Sequence, residues 1–197
     1  FRVAGATAAT GGAIRNFGVL TISLSTLSDN SANDGGAIYN ENTSVATLNT
    51  VSLSHNSGYD GGGAIYNNGD STLTLNNVTF NGNSGGGGGG LFNYAAARLN
   101  NTTLSGNLAV AGGGLYNLGT ATLINTTLSG NSATNQGGGI YNYFNLSLLN
   151  VTLSNNSAPT GGALYMESGY TTVLTNSILA YSPAGGNCSG SITAAKF

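Results

Sequence analysis

The acids are the first place to look for chemistry, and the chain has six: Asp29, Asp34, Glu41, Asp60, Asp70 and Glu167. Cleaving a glycosidic bond by hydrolysis takes two carboxylates converging on that bond. Eliminating across an acidic sugar takes clustered carboxylates on calcium and a basic residue as base. Asp34 and Asp60 each stand directly before a glycine run, so they are expected to share one position in a repeating structure. That makes them the weak candidates for a cation site. No base accompanies them, since Arg2, Arg15, Arg98 and Lys196 fall at unrelated positions. The calcium nonapeptide GGxGxDxUx does not fit either, because Asp here precedes its glycines. His55 has no Ser or Cys at a spacing that suggests a nucleophile and its base. Cys188 is alone, which gives neither a disulfide framework nor a CxxC metal signature. No catalytic or cofactor-binding residue is assigned, and the expectation is a protein that is not an enzyme.

Composition narrows the partners. Only 5% of the 197 residues are charged, against roughly 25% in an ordinary soluble domain. Four Lys and Arg cannot form a phosphate-binding stripe, so nucleic acid is not an expected partner. No apolar run approaches the ~18 residues of a spanning helix, and no signal peptide is recognised at the start. The 33 Gly and 28 Asn are not linker composition, because apolar residues recur regularly among them.

The elements that must position any site repeat. GGAIRN at Gly11 returns as GGAIYN at Gly35 and Gly62, GGGLFN at Gly88, GGGLYN at Gly112, GGGIYN at Gly137 and GGALYM at Gly161. The steps are 24, 27, 26, 24, 25 and 24 residues. Between them run TLSDN ending at Asn30, SLSHN at Asn56, TFNGN at Asn83, TLSGN at Asn107 and Asn131, and TLSNN at Asn156. Runs such as Thr72-Leu-Thr-Leu75 alternate with period two, and nothing sustains a 3.6-residue period. Short strands with Gly and Asn at the corners, one set per ~25 residues, predict an all-β, single-stranded right-handed parallel β-helix (β-solenoid) of about seven coils. One domain covers 1–197, with an N-terminal edge at 1–10, coils over 11–190 and a C-terminal edge at 191–197.

Aligned coils give columns. Ile14 to Leu164, Leu27 to Leu179 and Ile22 to Leu174 are three apolar columns expected to face inward. Asn30, Asn56, Asn83, Asn107, Asn131 and Asn156 form an Asn column, and Asn77, Asn101, Asn125, Asn150 and Asn176 another. Stacked amides of this kind bond along the axis and satisfy corner backbone.

The paired motifs, Gly35-Gly-Ala-Ile38 with Leu27-Ser-Asp-Asn30 and Gly62-Gly-Ala-Ile65 with Phe80-Asn-Gly-Asn83, resemble the repeats of the polymorphic outer membrane proteins. They are also similar to bacterial right-handed β-helix surface proteins with repeats of this length. The resemblance covers about residues 11 to 190. It implies an extracellular or cell-surface passenger, adhesive or structural, with no chemistry of its own.

Three surface features follow. Tyr39, Tyr66, Phe92, Tyr116, Tyr141 and Tyr165 each come after an inward Ile or Leu, so they should point outward and stack, and are a candidate binding surface. From the Ile/Leu column to the following Leu/Phe column the spacing is 13 on four coils and 15 on three, which puts insertions at Glu41–Ser44, Asn68–Ser71 and Glu167–Tyr170. Glu41, Asp70 and Glu167 therefore share one loop position on the face where solenoids often bind. Paired hydroxyls such as Thr103/Ser105 and Thr127/Ser129 form a third stripe. The reading that follows is a non-enzymatic structural or adhesive solenoid whose partners are host or matrix glycans or, end to end, further copies forming a filament. The alternatives are a carbohydrate-active lyase or hydrolase, which needs carboxylates converging in a groove, and an ice-binding protein, which needs a flat hydroxyl face.

Overall fold

The computed structural model describes residues 1–196. Phe197, the last residue of the expected C-terminal edge, lies outside them. Among the described residues every regular element is a strand, and every strand pair is parallel. Each coil pairs with the next in register, so Ile38, Ile65, Leu91, Leu115, Ile140 and Leu164 stand one above another.

The strands fall into a 14-stranded, an eight-stranded and a 5-stranded sheet. The eight-stranded sheet runs from Ile14–Asn16 to Cys188–Ser189, giving about eight turns where the motifs suggested seven. The extra turn pairs Leu164 with Cys188 and keeps only the glycine pair of the motif, Gly185–Gly186, with Cys188 in the Ile/Leu place.

Alternation explains the core. The triplet Ile65–Asn67 buries its first and third residues and turns the second outward. The three apolar columns, from Ile22 to Leu174, join one continuous buried cluster, and most members are fully inaccessible. The ends of the stack, Ile14 and Leu179, are only partly covered.

Two glycines shape the corner before each Ile or Leu. The first, from Gly11 to Gly161, has φ of 59–65°, a conformation that penalises a Cβ. The second sits where coils touch: a Cβ on Gly36 would lie 2.2 Å from the Gly63 carbonyl oxygen.

The Asn columns divide by environment. From Asn30 to Asn156 the side chains are fully buried. Asn56, Asn83, Asn107, Asn131 and Asn156 each accept both the amide and the backbone N–H of the preceding member, at 2.9–3.1 Å. Asn77, Asn101, Asn125, Asn150 and Asn176 are instead exposed and adopt φ of 46–54°. There the amide proton passes the other way, from Asn125 to Asn101 at 3.2 Å and from Asn150 to Asn125 at 3.0 Å. A third Asn column, Asn16, Asn40, Asn67, Asn93, Asn117 and Asn142, is buried and bonded at 2.7–2.9 Å. Its signal in the sequence is the last letter of the GGxIYN motif.

Candidate functional site

The aromatic column stacks as expected. Tyr39, Tyr66, Phe92, Tyr116, Tyr141 and Tyr165 have centroids 4.5–5.1 Å apart and planes within 7–16° of one another. The rings leave the sheet outward but lie against the glycine corner: a Cβ on Gly61 would come 2.9 Å from Tyr66 Cε2. They are consequently half-buried, and Tyr141 is only 8% exposed. Burial, with the Asp34 charge nearby, pushes the Tyr66 phenol up to about 12. Burial also raises Tyr39, Tyr116, Tyr141 and Tyr165, so these phenols stay neutral donors.

Charged groups close both ends of the stack. Arg15 pairs with Tyr39 in the ladder, and its guanidinium lies 4.7 Å from the Phe17 ring centroid and 5.9 Å from that of Tyr39. Arg15 also forms an ion pair with Glu41. At the far end the Glu167 carboxylate accepts from Tyr141 Oη at 3.0 Å and Tyr165 Oη at 3.3 Å. The loops holding these acids sit where the 13-versus-15 spacing put them, since turns occupy Asn42–Thr43, Gly69–Asp70 and Ser168–Gly169. The three acids line one edge without meeting: Glu41 and Glu167 cap opposite ends of the aromatic stack. Asp70 has its N–H held by Asn42 Oδ1 at 2.7 Å and makes no ion pair among the described residues.

The expected sharing of one column by Asp34 and Asp60 is corrected. Asp34 pairs with Gly61, and the register shifts between Ala32 and Asp34, so Asp60 belongs to a bulge beside the column. The cause is the extra glycine, Gly61, which takes the place next to the Gly62–Gly63 corner and displaces the acid by one residue. The two carboxyls remain close enough to interact: burial first, then the Asp60 charge, raises the Asp34 pKa. Among the described residues no third His, Cys, Asp or Glu joins them in a metal-binding group.

His55 occupies an exposed corner at φ 54°, where other coils place Asp29, Gly82, Gly106, Gly130 or Asn155, also at positive φ. Its role there is conformational. Cys188 is exposed, at the inward column position of the last turn. The Thr/Ser stripe forms an in-register array, with Thr103 beside Thr127 and Ser105 beside Ser129.

The aromatic residues that the sequence reading missed lie on the loop edge. Between each Ile/Leu triplet and the next strand stand two or three residues in short coils, as in Tyr94–Ala95 and Leu118–Gly119, and four or five in long ones. Three short coils lie between the long turns at Asn68–Ser71 and Glu167–Tyr170, leaving a notch edged by Tyr94, Leu118 and Phe144.

Comparison with known families gives one match. Residues 25–41, 50–68, 125–143 and 150–167 match the Chlamydia polymorphic membrane protein (Chlamydia_PMP) repeat. Each segment holds one buried corner Asn, one glycine corner and one ring of the aromatic stack. No curated protein and no solved structure matches the chain.

Proposed function

We propose that this β-solenoid, built on repeats of the polymorphic membrane protein type, is a non-catalytic adhesive rod displayed at a cell surface. One observation carries the reading. Each segment that matches the family supplies a buried amide and a ring of the stack, and the turns that follow the Ile/Leu–aromatic–Asn triplets supply the variable outer edge. The family's description as a membrane protein supports an extracellular, surface-bound setting. Catalysis finds less support, because Glu41 and Glu167 are engaged at opposite ends of the aromatic stack and Asp34 and Asp60 form no ion pair with a base among the described residues. Low charge and a surface of amides, hydroxyls and rings suit contact with glycans or matrix.

The test is adhesion. Beads coated with the chain are expected to be retained on cells or extracellular matrix, and soluble chain should compete with them. Absence of retention, or release of sugar from a polysaccharide that Asp60→Asn abolishes, would overturn the adhesive reading.

A further inference from the structure

The notch between the long turns has the dimensions and lining of a small-ligand site. Its volume is about 400 Å³, within the ~300–1,000 Å³ usual for such sites. Tyr94, 53% exposed, and Phe144, 37% exposed, stand on its two sides with Leu118 between them. Phe144 is not a loose ring, because Tyr170 of the neighbouring long turn packs against it at 5.1 Å and against Tyr143 at 5.0 Å. The floor is backbone: a Cβ on Gly119 would lie 2.1 Å from the Ala95 carbonyl oxygen. Thr72 and Thr120 bring hydroxyls to the rim, and Asp70 brings the one carboxylate.

We infer that this notch binds a short neutral oligosaccharide. Ring faces and Leu118 match the apolar C–H face of a pyranose, and hydroxyls and a carboxylate match its hydroxyl edge. Among the described residues no Lys or Arg lines the notch, so a uronic acid chain would meet the Asp70 charge without compensation. Three short coils give roughly 14 Å of run along the axis at ~4.8 Å each, which favours a chain of a few rings over a single sugar. The inference deepens the adhesive reading and rests on it for its biological setting, but the binding itself is measured independently.

The probes are chitotriose, cellotriose and maltotriose, with trigalacturonic acid as charged control, followed by NMR on the whole chain. At least one neutral trisaccharide is expected to give saturable shifts at Tyr94, Leu118 and Phe144, with a dissociation constant of about 1 mM or below. Tyr59, exposed on the 5-stranded sheet, should not respond. Tyr94→Ala, and Leu118→Trp, which fills the notch while leaving the flanking rings in place, should each weaken binding by about tenfold or more with the melting temperature unchanged. No saturable shift with any neutral probe overturns the inference, as does equal binding of trigalacturonic acid or indifference to both variants. Bead adhesion is scored alongside. Adhesion without trisaccharide binding overturns the notch alone, whereas trisaccharide binding without adhesion supports the notch and counts against the adhesive reading.

Discussion

Two neighbouring stretches of each coil obey different rules. The Asn that closes each Ile/Leu–aromatic–Asn triplet is buried, and Asn40, Asn67, Asn93 and Asn117 each accept from the coil before and donate to the coil after. The residues immediately following differ in every coil: Phe17–Gly18, Glu41–Ser44, Asn68–Ser71, Tyr94–Ala95, Leu118–Gly119, Tyr143–Phe144 and Glu167–Tyr170. The difference is one of coupling. A buried amide cannot change alone, since its loss strands a donor in the coil beside it. An edge side chain facing water has no such neighbour to strand. Repetition therefore marks what holds the rod together, and departure from repetition marks where it is free to recognise something.

The largest expected effect is at the amide columns. Asn107→Ala removes the acceptor of both the Asn83 backbone N–H and its side-chain amide, and should cost roughly 3–5 kcal/mol. That is comparable with Leu128→Ala in the apolar stack, at about 2–5 kcal/mol. Urea midpoints check both, and a loss of under ~1 kcal/mol for Asn107→Ala would mean the buried amides are not coupled.

Alkali should act next, through the aromatic stack. The folded pKa of Tyr66 is raised to about 12, above the ordinary 10.0. The unfolded chain thus releases its phenol protons first. The contribution of Tyr66 is full below pH 10, and falls as pH rises from 10 towards 12, with the other raised phenols adding in the same direction. Melting followed across that window, with Tyr66→Phe as control, should show the loss and its partial relief. A flat profile would contradict it.

The exposed Asn column is the intermediate case. Asn125→Ala loses two exposed amide bonds, to Asn101 and from Asn150, and puts an alanine at φ 49°, for about 1 kcal/mol, whereas Asn125→Gly should be near neutral. Equal losses for the two would mean that the exposed ladder matters more than its backbone conformation. Leu24 holds the equivalent corner of an early coil at φ 50° and is 77% exposed, so Leu24→Asn should stabilise by up to ~1 kcal/mol.

Much of this was legible in the sequence because a solenoid turns sequence period into spatial neighbourhood. Leu104 sits between Phe80 and Leu128 since each lies one coil away, and the insertions fall where the column spacings lengthen. The displacement of Asp60 follows from the repeat itself: setting GGAIYN at Gly35 against Gly62 places Asp34 opposite Gly61, and counting from the start of each glycine run hides it. The eighth turn at Cys188–Ser189 was not legible, because only the glycine pair Gly185–Gly186 of the motif survives there. The notch escaped for a further reason. Tyr94, Leu118 and Phe144 are irregular letters in their coils, and only the turns on either side make them one surface.

The division of labour is tested most directly by one double variant, Tyr94→Ala with Phe144→Ala, measured for melting temperature and for bead retention on cells. Both side chains belong to the variable edge, so stability should fall by about 1–2 kcal/mol, the lost Phe144–Tyr170 packing included, while retention falls by tenfold or more. Retention at the unaltered level, or a melting temperature that drops as far as that of Asn107→Ala, would contradict the account.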